Sequence, residues 1–423
     1  MMKVLLVNTT DIEGGAARAA FRLHQGLLGM QVDSKLLVQR KLSDDPRVIE
    51  PVKKLEQEVA KLRQTLDRLP MQVYPGRTKE AYSLGWLPDR VATKVQQLNP
   101  DVVNLHWVGE GFVNIATLQK LHQPIVWTFH DMWGFTGGCH YALECDRYET
   151  SCGACPQLQS SKPGDLSHWV WQRKRKAWEN LNLTIVTPSK WLAKCTRESA
   201  LFAKTRVEVI PNGIDVQKYR PLDRHTARSL LELPQDKQLV LFGAMRATTH
   251  KRKGFEPLQA ALLQLSKSGW QDKIELVVFG ASHGRLSEEL GFKCHYLGKL
   301  GDELSLVLAY SAADVFVLPS LQDNLPNTIM ESLACGTPCV AFDIGGMPDM
   351  IEHEQNGYLA AAYNIDDLAQ GIAWVLENGS RHQKLSQRAR EKVETEFTLE
   401  IQARRYLSVY GEMVSSGNSS LGK

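Results

Sequence analysis

Apolar residues in this chain gather into short unbroken runs, and stretches of helical spacing separate many of the runs. The first run covers residues 3–9, and an alanine-rich stretch follows it to about Met30. A run that is apolar at almost every position suits a parallel strand covered on both faces, not a strand with one wet face. Similar runs recur at residues 34–38, 101–106, 124–129, 183–187 and 207–210. A second series begins near Gln238, with runs at 239–242, 274–279, 294–297, 314–318 and 338–342. Strands alternating with helices predict an α/β fold with doubly wound parallel sheets, here in two successive domains. The turn-rich segment IPNGID, residues 210–215, marks the join. The expected division is therefore 1–215, 216–396 and a last helix within 397–423.

Composition narrows the classes. A chain of 423 residues exceeds one ordinary core. Its net charge of +3, with basic and acidic residues mixed, does not point to a nucleic-acid partner. No apolar run approaches the roughly 18 residues that cross a bilayer. The opening MMKVLLVNTT turns polar too soon for a signal peptide and reads as the first strand, so a cytoplasmic protein is expected. Any membrane contact would be peripheral, at the inner face. Two segments bear on that. Leu55, Val59, Leu62, Leu66 and Leu69 form an amphipathic stripe, but acids and bases alternate around it, which favours packing onto the first domain. In residues 168–178, the bases Arg173 to Lys176 stand among Trp169, Trp171 and Trp178, the mixture found at lipid surfaces. Four consecutive residues wrap most of a helix, however, and cannot share one face.

The chemistry concentrates in SLQDNLPNTIMESLACGTPCV, residues 320–340. Pro326-Asn327 is expected to open a helix that Gly336 ends. This puts Asp323, followed by Asn324 and Leu325, in the loop above a strand, and Glu331 within the helix below. The free N–H groups of a helix start lie between the two acids and suit an anion. A carboxylate for sugar hydroxyls, an anion cradle and a second carboxylate make a candidate nucleotide-sugar site; a capped turn with solvated acids is the plain alternative. The second domain opens with a strand leading into a basic loop, LVLFGAMRATTHKRKGF, residues 239–255. Its Arg246, Arg252 and Lys253 could neutralise a departing diphosphate, or could be merely solvated. In WTFHDMWGFTGGC, residues 127–139, His130 and Asp131 stand at a strand end, where ligands bind in open α/β sheets. A histidine there is otherwise a structural hydrogen-bonder.

Cys139, Cys145, Cys152 and Cys155 lie within 17 positions and end in C-x-x-C. In a reducing compartment such a set more often binds metal than forms disulfides. Four thiolates favour a closed tetrahedral Zn²⁺, hence a structural zinc; an iron–sulfur cluster and unliganded thiols are the alternatives. Cys195, Cys294, Cys335 and Cys339 are scattered and read as packing residues.

The 320–340 segment resembles the donor-site signature of retaining glycosyltransferases of the GT-B fold, glycosyltransferase family 4. That signature is Glu, seven residues, Glu; here Asp323 holds the first position, one methylene shorter. The resemblance runs from the Gly14-Gly15 loop through IPNGID to Glu331, and HDMWGFTGGCHY with the later cysteines is similar to a subgroup that builds exopolysaccharide of the colanic-acid type. It implies two Rossmann-like domains facing a central cleft, with the last helix returning to the first domain. It places the first acid and His130 near the donor sugar, Glu331 on the ribose, and Gly14 and Gly15 in the loop that substrate approaches. The family's arginine after the strand glycine is replaced by Ala244, leaving Lys253 with Arg246, or Arg252, for the diphosphate. Such enzymes transfer sugar with retained configuration and no catalytic metal, the diphosphate itself taking the acceptor proton. A nucleotide-diphosphate sugar and a glycan or lipid-linked glycan are the expected substrates. Two other functions fit the same residues: a phosphorylase of this fold, and a non-catalytic sugar-nucleotide-binding scaffold.

Overall fold

The computed structural model describes residues 1–50, 54–243, 251–280 and 290–420, with side chains for all of these except 54–57 and 416–420. The chain divides into two compact units, Met1–Pro211 with Leu399–Lys423, and Asn212–Thr398.

In the first unit, β1 (Lys3–Thr10), β2 (Asp33–Arg40), β3 (Val48–Ile49), β4 (Val102–Leu105), β5 (Ile125–Thr128), β6 (Leu183–Thr187) and β7 (Val207–Val209) form one sheet. Its order is β3-β2-β1-β4-β5-β6-β7, with every pairing parallel. Val4 sits between Ser34 and Val102, and all four residues of β4 and of β5 are buried. Burial on both faces is why these strands read as continuous apolar runs.

The second unit holds β8 (Gln238–Gly243), β9 (Ile274–Phe279), β10 (Cys294–Gly298), β11 (Val315–Leu318), β12 (Cys339–Phe342) and β13 (Gly357–Ala360). They pair in parallel in the order β10-β9-β8-β11-β12-β13. Both units are thus α/β with a doubly wound parallel sheet. Strand order reverses between β1 and β4 in one sheet and between β8 and β11 in the other. Just beyond the carboxyl ends at such a reversal, neighbouring connections diverge to opposite faces and leave a crevice for ligand.

The helix Leu399–Ser420 belongs to the first unit by packing. Asn104 Nδ2 on β4 donates to Tyr410 Oη at 2.6 Å, and Thr128 Oγ1 on β5 bonds Tyr406 Oη at 2.9 Å. All four residues are buried. Tyr406, Val409 and Met413 continue that contact into the core under β1 and β2.

Two helices depart from expectation. The helix Lys54–Asp67 was expected to lay its apolar stripe on the first domain, yet Val59, Leu62, Leu66 and the following Leu69 are 41–59% exposed. Polar bonds hold it instead. Buried Asp67 accepts from Leu84 N (2.9 Å) and Gly85 N (3.0 Å), and Arg63 Nε donates to Gly111 O at 2.7 Å. The Leu55 side chain lies outside the described residues. In the helix Leu166–Trp178, Trp171, Trp178 and Lys174 face the core rather than a lipid surface; Trp169, 46% exposed, is the outward tryptophan. Lys174 Nζ donates to Trp133 O and, at 3.0 Å, to Thr136 O, and lies 3.9 Å over the Trp133 ring. Among the described residues, no helix is long and apolar enough to cross a membrane.

Candidate active site

In the second unit the site forms on two connections that leave the sheet at its reversal. One follows β8 and is described from Lys251 onward; the other leaves β11 at Pro319 and ends in the helix Asn327–Ala334. Gly254 ties them together. It has φ +71°, and a Cβ there would meet Pro319 O at 1.7 Å, so the backbones touch only because this residue is glycine. Leu321 N then donates to Arg252 O at 2.8 Å.

That contact brings Lys253 Nζ to 2.6 Å and Arg252 Nη1 to 3.4 Å from Asp323 Oδ2. Ser320 Oγ donates to the same oxygen at 3.2 Å, and Asn324 N to Oδ1 at 3.2 Å. Arg252 Nη1 also donates to Gln322 O at 2.6 Å. Burial alone would raise the Asp323 carboxyl, but the Lys253 and Arg252 charges hold it well below the usual carboxylate range. Burial lowers the Lys253 ammonium, against the pull of Asp323. The result is a buried anion bracketed by two cations, charged at neutral pH.

Glu331 lies one turn into the helix and is 2% exposed. Tyr310 Oη, itself fully buried, donates to Glu331 Oε2 at 3.1 Å. Asn324 and Leu325 are buried between the two acids. The loop after β12 closes the site from behind: Gly346 N donates to Asp323 O at 3.1 Å, and Gly345, φ +55°, has room for no Cβ beside it. Ser320, Tyr310 and Gly345 were not singled out in the sequence. Tyr310 sits in an apolar helical stretch, where nothing distinguishes it from a core aromatic. Arg246 and Ala244 lie outside the described residues.

The first unit places its candidates at the ends of β1, β4 and β5. Gly14, φ +96°, caps the helix Gly15–Gly29. Buried Asp11 anchors that loop by accepting from Leu42 N (2.9 Å) and Ser43 N (2.7 Å) beyond β2. His130 and Asp131 do not act as a pair. Asp131 Oδ2 accepts from Trp107 Nε1 at 2.6 Å and bonds His140 Nδ1 at 2.7 Å, while Oδ1 accepts from Trp133 N at 2.9 Å. His140 Nε2 continues to Ser83 Oγ at 2.9 Å. Burial would raise Asp131, but His140 and these donors hold it below the usual range. His130 Nε2 meets His106 Nδ1 at 2.9 Å, with the rings stacked. Burial lowers His130 to about 4 and His106 well below its ordinary value, so both rings are neutral at pH 7.

Cys139, Cys152 and Cys155 are buried, Cys145 is half-buried, and all are thiols. Gly137 N donates to Cys152 Sγ at 3.1 Å. Burial first, then neighbouring thiols, pushes Cys139 far up, and burial brings Cys152 to about 12. Among the described residues, no three Cys, His, Asp or Glu side chains stand in an arrangement that could hold a metal ion. The expected zinc staple therefore has no support in this geometry. Of the other four cysteines, Cys195, Cys335 and Cys339 are buried and Cys294 is half-buried.

The chain resembles known proteins over most of its length. Residues 13–218 match the family model described as Glycosyltransferase Family 4, and residues 224–392 match that of Glycosyl transferases group 1. A protein of Escherichia coli K12 named as colanic acid biosynthesis glycosyl transferase WcaC is 26% identical over 363 residues, covering 80% of this chain and 83% of its own. Among solved structures, sucrose-phosphate synthase from Thermosynechococcus elongatus superposes with a TM-score of 0.70 at 20% identity, covering 98% of this chain and all of that one. Anabaena HepE, solved with UDP and glucose, gives a TM-score of 0.63 at 15% identity over 97% of this chain and all of its own. At these identities the two structures speak for the fold.

Proposed function

We propose that this chain, which belongs to the glycosyltransferases of Family 4 and group 1, is a retaining hexosyltransferase that moves a sugar from a nucleotide-diphosphate sugar to a growing polysaccharide or its lipid-linked precursor. The observation that carries this reading is the cluster of Asp323, Lys253 and Arg252 beside Glu331, all at the strand-order reversal of the second unit. Glu331 accepts the ribose hydroxyls, and Tyr310 Oη holds its carboxylate in place. Lys253 and Arg252 take the negative charge that grows on the diphosphate as the glycosidic bond breaks, the charge whose stabilisation lowers the barrier most. Asp323 accepts hydroxyls of the sugar. It now shares Lys253, so an arriving diphosphate competes with the carboxylate for the ammonium. His130, neutral at working pH, offers a hydrogen bond rather than a charge.

No carboxylate in the cluster stands as a general base. The departing diphosphate oxygen accepts the acceptor's proton on the face it leaves, and the new bond forms there with configuration retained. The reading assigns no step to a divalent cation. NMR assignment of the anomeric centre in the product tests retention: an inverted product contradicts the mechanism, and phosphate-dependent release of sugar 1-phosphate without nucleotide would make the chain a phosphorylase. Similarity to a colanic-acid enzyme supports polysaccharide assembly as the setting.

A further inference from the structure

His106 stands at the end of β4, beside the strand-order reversal of the first unit, and its backbone is pinned on both sides. His106 N donates to Val7 O at 2.9 Å, and Trp127 Nε1 donates to His106 O at 3.2 Å. The residue is 3% exposed; Nδ1 meets His130 Nε2 at 2.9 Å, while Nε2 is buried with no hydrogen-bond partner among the described residues. A buried polar nitrogen left unmet is destabilising, so native structures rarely keep one. His106 and His130 both line a small crevice of about 10 Å³, room for a single water, with Trp107, Asp131, Trp133 and His140 on its other walls. One water in that crevice would be close enough to the His106 ring to meet the orphaned nitrogen as donor or acceptor.

The two rings share one hydrogen between Nδ1 and Nε2, which links their tautomers. If the group at His106 Nε2 donates, Nδ1 carries the hydrogen and gives it to His130 Nε2, so His130 keeps its own hydrogen on Nδ1. If that group accepts, the order reverses and His130 presents a bare Nδ1. Stacking at 5.2 Å with an interplanar angle of 20° fixes the ring planes as well.

We propose that His106 is a positioning residue for His130: it selects one tautomer of that ring and holds its plane, through a nitrogen whose own partner is a crevice water. The functional weight of this rests on the reading of His130 as a sugar contact; the tautomer itself does not. Two-bond ¹⁵N–¹H correlation on the full chain labelled in histidine reads tautomers directly, with His130→Gln assigning the signal. Wild-type His130 should show one tautomer. His106→Asn, whose amide reaches the Nδ1 position, should keep it and retain nucleotide-diphosphate release within about threefold. His106→Leu should give mixed tautomers and lower release by about tenfold or more, the scale of a misplaced reacting group. His106→Gln, whose amide overshoots that position, should behave like Leu and serves if Leu does not fold. Mixed tautomers in the wild type, or an unchanged tautomer in a folded Leu or Gln variant, overturn the proposal. A tautomer that shifts as stated while His130→Gln keeps full turnover supports the positioning and removes His130 from the reaction.

Discussion

Asp323 shows how one methylene can be absorbed by its neighbours. The family signature has a glutamate at this position, and the shorter aspartate here is met by Lys253, Arg252 and Ser320 within 3.4 Å. Removing it in Asp323→Ala strands two nearly buried cations, a change that costs about 3 kcal/mol or more, and should abolish donor turnover. Lys253→Met leaves Arg252 to answer the carboxylate, so its stability loss should be smaller while turnover falls by about 10²-fold. Thermal melts beside initial rates separate the two effects. Buried histidines outside that cluster set most of the pH response. His24 and His130 are lowered by burial to about 4, so the unfolded chain binds protons that the folded chain refuses between pH 6.5 and 4. Stability should therefore be full above pH 6.5 and fall toward pH 4, by about 3 kcal/mol per histidine. Asp323 and Asp131, both held below their ordinary range, extend the loss as they protonate at lower pH. Urea titrations from pH 7.5 down to 4 would show it; a flat profile would mean that these groups are not buried as described.

At the scale of elements, the strands were legible where they were long and buried on both faces. Residues 274–279 were expected as a strand and form β9 without change. By contrast β3 has two residues and β13 opens on Gly357, so neither carries a period long enough to read. The Lys54–Asp67 helix misled for another reason: apolar spacing says which residues share a face but not what that face meets. Aromatic clustering misled in residues 168–178, where the lysine expected at a surface is the buried one. The terminal helix allows a graded test of how polar groups anchor an element. Thr128 Oγ1 also donates to Asn104 Oδ1 at 3.1 Å, so loss of the Tyr406 hydroxyl removes only one acceptance there. Tyr410→Phe instead leaves the buried Asn104 amide without that partner. We expect Tyr410→Phe to cost roughly 1–3 kcal/mol and Tyr406→Phe less, by denaturant unfolding. Equal losses would contradict the stated donor and acceptor roles.

For the whole molecule, the α/β class and the family were readable because the strand–helix alternation and the signature around Asp323 and Glu331 are local in sequence. What was not readable is what distance along the chain conceals. Tyr310 precedes Glu331 by 21 positions, and Gly345 backs Asp323 from the next connection. His106 precedes His130 by 24. None of these partners has a spacing rule, since each pairing is set by which strands neighbour in the sheet. Substrate identity is further removed still, because no residue pattern in the sequence names the nucleotide base or the sugar.

On the proposed function, the second unit holds a nucleotide-diphosphate sugar through Glu331 and the Asp323 cluster. Release of nucleotide diphosphate from a panel of UDP-, GDP- and ADP-sugars, wild type against Glu331→Ala with a lipid-linked glycan fraction present, tests it most directly. Wild type should turn over one nucleotide class, and Glu331→Ala, still folded by thermal melt, should lose at least about 10²-fold of that rate. Equal turnover by the two proteins would contradict it.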